Sequence, residues 1–443
     1  MQAFFARPHY TRRHFFQIAG GITASFLAAR PGPAQVTTAA SVTTQNKAKN
    51  VIFVLLAGAP SHTDTFDLKE VPGVTPAELQ PTTIGGIRWP NGILPRLGQQ
   101  IPQMAIVRSM RAWALVHSLA QTWTQIGRNP AAALGNHAPN IGSIVAIEKE
   151  KERRPSQVFP TFLALNSNGA AGGGYLPSGY APFKLNASPR GIPNTTNPDG
   201  PARFEDRWSL LHKLDDPLRI GSPLGRPPED YQNFYQAARG MMYNPVVDAA
   251  FRFAPEESAR YGSTGFGNAC LVAKQVLAAG QGTRFIQITL GGWDMHNDIY
   301  TRLFPLSRTL DDGLATLLED LQSTGLLSET LVVAVGEFGR TVGKLSAANG
   351  RDHYLQQSCV FAGAGIKGGR AIGATDETGG ASIEYGWARE RDIRVEDVEA
   401  TIYSALGINW TTVRYDDPFG RGFEYVPFSS QDLYGPVNEI WNS

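Results

Sequence analysis

Short apolar runs recur along this chain, and each ends in a glycine-rich or polar cluster. The first, Val51-Ile52-Phe53-Val54-Leu55-Leu56, passes into Gly58-Ala59-Pro60-Ser61-His62-Thr63-Asp64-Thr65-Phe66-Asp67. Phe285-Ile286-Gln287-Ile288-Thr289-Leu290 runs into Gly291-Gly292-Trp293-Asp294-Met295-His296. Leu331-Val332-Val333-Ala334-Val335 runs into Gly336-Glu337-Phe338-Gly339-Arg340-Thr341. Residues 104–110, 159–165 and 359–362 repeat the pattern. Runs this short, β-branched and bounded by glycine predict buried parallel strands. Helical spacing fills the intervals, over residues 94–99, 118–126, 137–152, 204–215, most of 228–280, 303–323 and 395–406. Leu310, Leu314, Leu317, Leu318 and Leu321 give the 303–323 helix one apolar face for core packing, and Gly325 ends it. Strands alternating with helices predict an α/β fold, with a mostly parallel sheet covered by helices on both faces.

In such a sheet, ligands bind beyond the carboxyl ends of the strands. Asp294, His296, Glu337, Asp352 and His353 therefore gather at one edge. Carboxylates and imidazoles meeting there suit a divalent metal ion. Asp64 joins them from the loop after the first strand, and Asp67 is equally placed. Mixed oxygen and nitrogen donors leave zinc, manganese and calcium open. The site holds one ion, or two about 4 Å apart. Arg340 and Arg351 read in two ways, as bidentate clamps on an anionic substrate or as charges that balance the carboxylates. Glu337 with Arg340 also reads as a buried ion pair. His117-Ser118 opens a helix whose free N–H groups suit an anion. His62 and His117 fit a site or a surface equally well.

The composition limits the alternatives. With 443 residues, 42% hydrophobic and 18% charged, the chain has room for one large domain with insertions. A net charge of +1 supplies no basic surface for nucleic acid. Gly (47) and Pro (30) are both abundant, which predicts long shaped loops. The longest, residues 166–201, centres on Gly172-Gly173-Gly174-Tyr175 and reads as a cover over the site or a surface excursion. Cys270 and Cys359 match no metal spacing and read as two buried thiols. At the amino terminus, Thr11-Arg12-Arg13-His14-Phe15-Phe16-Gln17 is a twin-arginine pattern before an apolar run too short to span a bilayer. Gly32-Pro33-Ala34 offers small residues for cleavage. The expected organisation is a signal peptide at 1–34, addressed to the twin-arginine export machinery, and a flexible lead-in at 35–49. One domain then fills 50–443, with a loop or cap insertion at 166–215. The mature chain is expected in the periplasm or outside the cell, and no segment reads as a stable transmembrane span.

The order of the motifs is itself informative. An oxygen-rich loop follows the first strand, then Arg108-Ser109-Met110 with His117 beyond it, then the Gly291–His296 and Gly336–Thr341 clusters, then Gly350-Arg351-Asp352-His353. Over nearly all of residues 12–425 this resembles a large family of twin-arginine-exported bacterial proteins catalogued as a domain of unknown function. That family is similar to a branch of the alkaline phosphatase/sulfatase superfamily. The resemblance implies one or two divalent ions, with Asp64, Asp294, His296 and His353 at ligand positions. Glu337-Phe338 stands where those proteins carry Asp-His, so one ligand is lost at Phe338 and Asp352 is the implied replacement. A nucleophile is implied at the helix start held by His117. Ser118, Ser109 or a water activated by the ion fills that role, and Arg340 or Arg351 steadies charge on the leaving oxyanion. The Cys-x-Pro-x-Arg signature of sulfatases is absent, which argues against formylglycine chemistry. The expected function is an exported metal-dependent hydrolase acting on an anionic phosphoric or related ester. The rival is a non-catalytic envelope binding or assembly protein that keeps the sulfatase-like fold.

Overall fold

The computed structural model describes residues 36–38, 41–219 and 227–441. The twin-arginine pattern and its apolar run lie outside the described residues. Eight strands form the central sheet: β1 (Asn50–Ala57), β2 (Met104–Arg111), β3 (Phe162–Leu165), β4 (Phe183–Leu185), β5 (Phe285–Gly291), β6 (Thr330–Val335), β7 (Gln356–Gly363) and β8 (Arg370–Ile372). Their spatial order is β8-β2-β7-β6-β1-β5-β3-β4. β1 lies at the middle, parallel to β5 on one side and β6 on the other. Only β7 is reversed, antiparallel to both β2 and β6. The cause is local. No crossover helix separates β6 from β7, so the chain turns at the carboxyl edge of the sheet and comes straight back.

Alternation along β1 divides the core in two. Val51, Phe53 and Leu55 pack with Val145, Val398 and Ile402 on one face. Ile52, Val54 and Leu56 pack with Leu271, Leu314 and Leu317 on the other. All six strand residues are at most 3% exposed. Their burial contributes on the order of 10 kcal/mol before ordering entropy offsets it. The architecture is thus the predicted one, a mostly parallel sheet with helices on both faces. Cys270 and Cys359 are buried free thiols, as the spacing implied.

Two expectations change. The lead-in is docked: Val36–Thr38 pairs antiparallel with Thr412–Arg414, and the N–H groups of Asn46 and Ala48 bond to the carbonyls of Ser404 and Ala405. Backbone pairing needs no apolar side chains, so a polar composition did not announce it. The 303–323 helix begins earlier, at Ile299, and opens into a π turn at Asp311–Ala315 a few residues after Pro305. There Asp311 accepts the N–H groups of Arg96 and Leu97 at the start of a neighbouring short helix. The glycine-rich loop is tied down by backbone bonds: the Gly172 carbonyl accepts from Asn140 N–H, and Tyr175 N–H donates to the His137 carbonyl. Part of the same insertion, β4, extends the sheet beside β3.

Candidate metal centre

The carboxyl edge of β1, β5 and β6 brings four ligand atoms together. They come from His117, Asp294, His296 and His353, and all lie within 4.8 Å of one another. His117 is the first residue of helix α1 (His117–Ile126). Asp294 and His296 follow β5. His353 sits in a two-residue strand opposite Gly339–Arg340, where it is the direct partner of Arg340. Two glycines make the approach possible. Gly58 has φ +104, and a Cβ there would lie 2.6 Å from the Asp294 nitrogen. A Cβ on Gly350 would lie 1.9 Å from the His296 carbonyl oxygen. Any side chain at either position would push the Asp294–His296 loop away from its neighbours.

Asp294 Oδ1 lies 2.8 Å from His296 Nε2, 3.2 Å from His117 Nε2 and 3.8 Å from His353 Nε2. His296 Nε2 and His353 Nε2 are 3.1 Å apart. All three imidazoles turn Nε2 inward because each Nδ1 faces outward to an acceptor. His117 Nδ1 meets Glu337 Oε1 at 2.6 Å, His353 Nδ1 meets the Leu115 carbonyl at 2.7 Å, and His296 Nδ1 is 3.6 Å from Asp352 Oδ1. Outer acceptors of this kind orient metal-binding histidines. Phe338 packs at 4.7 Å against both His117 and His353 and holds the two rings in place.

The electrostatics agree with the geometry. Burial pushes the Asp294 carboxyl up, but Arg340, His117 and His296 outweigh it and hold the group at about 2. The Glu337 carboxylate raises the His117 pKa above its ordinary value, against the effect of burial. Burial lowers that of His353, which favours the neutral, lone-pair-donating ring. His117 Nε2 is sheltered from solvent yet makes no hydrogen bond. Two unprotonated nitrogens facing at 3.1 Å repel unless a proton or cation sits between them. A buried orphan nitrogen and a crowded pair are what an ion would satisfy. Three imidazole nitrogens and one carboxylate oxygen fit zinc or a neighbouring transition metal; calcium prefers six to eight oxygens.

The other candidates have different surroundings. Asp64 is buried and accepts from Arg351 Nε at 2.7 Å, Ser61 Oγ at 2.5 Å and Tyr300 OH at 3.0 Å, so it is closed off from the cluster. Asp67 accepts from Thr375 and pairs with Lys69 and Arg108. Glu337 and Asp352 stand behind histidines, outside the group of four converging ligand atoms. Arg340 and Arg351 are braces, not free clamps. Arg340 donates to the carbonyls of Gly58, Ala59 and Arg351 and to Asp294, and its Nη1 lies 3.5 Å from His296 Nε2; Arg351 donates to Asp64 and the carbonyls of Thr341 and Gly343. Both guanidinium groups are committed to protein partners, Arg340 to the cluster itself as well as to backbone. Ser118 is exposed beside His117, with no recorded contact from its hydroxyl to the cluster. Ser109 is buried and donates to the Tyr385 carbonyl. His62 is buried too, and its Nε2 bonds to the Gly379 carbonyl. His117 was within reach of sequence reasoning: Phe338 removes one imidazole, which asks for another elsewhere.

No helix among the described residues is long and apolar enough to cross a membrane. The family described as Protein of unknown function (DUF1501) matches residues 48–431, and the chain belongs to it. No curated protein matches the chain. Among solved structures it is similar to the lipoteichoic acid synthase LtaP from Listeria monocytogenes, at 11% identity over 85% of this chain and 76% of that one, with a TM-score of 0.38. It is similar to the PsFucS1 sulfatase from Pseudoalteromonas sp. at 12% identity, over 82% and 68% of the two chains, with a TM-score of 0.38. It is also similar to alkaline phosphatase from the Antarctic bacterium TAB5 at 13% identity, over 73% and 93%, with a TM-score of 0.34.

Proposed function

We propose that this member of the DUF1501 family is an exported metal-dependent hydrolase of phosphoric or related esters, built on one divalent ion held by His117, Asp294, His296 and His353. The observation that carries this reading is the convergence of three imidazole Nε2 atoms and one carboxylate oxygen within 4.8 Å. A divalent ion there supplies Lewis acidity towards an ester oxygen and towards water. The chain's own residues prepare the place for it. Asp294 stays ionised beside Arg340. Glu337, Leu115 and Asp352 set the histidine rings. The Asp294 and His296 side chains are 45% and 42% exposed, so a substrate oxygen has access from solvent. The twin-arginine pattern supports export to the periplasm or beyond.

A second reading, a non-catalytic envelope binding or assembly protein, draws on a specific observation: Arg340 and Arg351 are engaged by protein partners, and among the described residues no serine hydroxyl hydrogen-bonds to the cluster. One experiment separates the two. Mature protein purified without chelators is analysed for metal and offered p-nitrophenyl phosphate, bis-p-nitrophenyl phosphate and p-nitrophenyl sulfate. The hydrolase reading expects one ion per chain and turnover of at least one ester, lost with His296→Ala. An occupied site with no turnover of any ester favours the second reading. A chain that takes up no divalent ion sinks the metal centre.

A further inference from the structure

Resting on the metal reading above, we propose that Glu337 is the positioning residue of the centre, fixing which nitrogen of His117 faces the ion. Its side chain is 0% exposed. Oε1 accepts from His117 Nδ1 at 2.6 Å, from Gln121 Nε2 at 2.9 Å and from the Gly58 N–H at 2.9 Å. Oε2 takes a longer share of the same N–H at 3.2 Å. A carboxylate only accepts, so the hydrogen of His117 must lie on Nδ1. In the neutral ring Nε2 then carries the lone pair; it lies 3.2 Å from Asp294 Oδ1 in a geometry that makes no hydrogen bond.

The arrangement leaves His117 little freedom. Gln121 lies one helical turn beyond His117 on the same face of α1, so helix and carboxylate lock each other. Phe338, the neighbour of Glu337, packs against the imidazole at 4.7 Å. Gly58 ties the same carboxylate to the end of β1. Among the described residues no Lys or Arg is recorded pairing with Glu337; its one ion-pair partner is His117. The other two rings are held more weakly, His353 by a neutral carbonyl and His296 by an exposed carboxylate 3.6 Å away. Glu337 is therefore the dominant outer support. Its three donors also explain why it is not itself a ligand.

The test uses the full mature chain with Glu337→Ala and Glu337→Gln. Zinc affinity is read by chelator competition, and ligand geometry by visible absorption of the cobalt-loaded protein. Glu337→Ala is expected to lower zinc affinity about 10- to 100-fold, the usual cost of losing an outer partner. Glu337→Gln keeps an acceptor oxygen and is expected to retain more affinity than the alanine variant, with a wild-type-like cobalt spectrum. Thermal midpoints of the ion-free variants separate this effect from misfolding. Wild-type affinity and an unchanged cobalt spectrum in Glu337→Ala would overturn the proposal. Long-range proton–nitrogen NMR on the wild-type chain tests it without any variant. A His117 hydrogen on Nδ1 is expected, and one on Nε2 with bare Nδ1 overturns it. If the wild-type chain binds no ion, the metal reading fails by itself, and the same NMR measurement on ion-free protein at alkaline pH still decides the tautomer.

Discussion

Replacing Arg340 by methionine distinguishes a brace from a substrate clamp. The guanidinium is fully buried and donates to Ala59 O at 3.0 Å, Arg351 O at 3.2 Å, Gly58 O at 2.5 Å and Asp294 Oδ1 at 2.6 Å. Methionine fills similar space and donates nothing. Three backbone carbonyls lose their partner, at about 1–3 kcal/mol each if they stay dry. Water entering the gap recovers part of that. Asp294 is 45% exposed and is solvated once released, so its share is discounted. A net loss of about 3–5 kcal/mol follows, carried mainly by the three stranded carbonyls. At a few degrees per kcal/mol, the thermal midpoint of the ion-free chain falls by roughly 5–10 °C. Arg340→Lys, which keeps the charge and some of the donors, falls between. The assay is thermal unfolding by circular dichroism, with calorimetry of inorganic phosphate binding to the ion-loaded protein in parallel. A midpoint within about 1 °C of wild type, together with a large loss of phosphate affinity, would refute the brace and restore the clamp.

Further outcomes follow from the same contacts. Asp64→Asn should destabilise the fold by about 3–5 kcal/mol, because it strands the buried Arg351 charge, while leaving ion content at the wild-type value; loss of the ion would return Asp64 to the ligand set. His353→Ala removes a ligand and should lower zinc affinity at least about 100-fold in chelator competition, more than any outer partner. Ser118→Ala should leave ester turnover at the wild-type rate, and a collapse of turnover with the ion retained would make that hydroxyl the nucleophile. Glu399 is buried, and burial pushes its carboxyl from 4.5 up to about 8. Its folded value lies above the unfolded one, so the folded chain holds the extra proton, and stability falls as pH rises from about 4.5 through 8. Glu399→Gln should flatten that slope in urea midpoints measured across the window; parallel curves for the two proteins would sink the argument.

Much of this fold is legible in the sequence. The apolar runs of β1, β5 and β6 announce themselves because both faces of those strands are covered, leaving no polar alternation. Asp294, His296 and His353 stand out because they lie within a few residues of a strand end or of each other. His117 opens an ordinary helix, and the fold is what brings it beside residues far along the chain. The chain has eight histidines, so the vacancy implied by Phe338 was a question few residues could answer. Asp64 misled because a loop position says where a carboxylate starts, not which guanidinium reaches it. The reversal of β7 did leave a trace, since no helical spacing appears between residues 336 and 355 to carry a crossover.

The charges at the site support one ion rather than two in the centre proposed above. Asp294, Glu337 and Asp352 place three carboxylates at the cluster, and Arg340 supplies one positive charge, on Asp294. Glu337 is buried and has only N–H donors around it. A single divalent ion beside His117 balances that surplus of two negative charges, so a second ion has no charge left to offset. A second ion needs another carboxylate free to bind it, and Asp64 is the nearest in the pattern. Arg351 already meets that carboxylate at 2.7 Å, and both side chains are 1% exposed. A fixed guanidinium thus occupies the electrostatic role a second cation would take. Arg351 removal alone would leave a buried carboxylate seeking a partner, so a gain in divalent ion stoichiometry in Arg351→Ala is the outcome this balance requires.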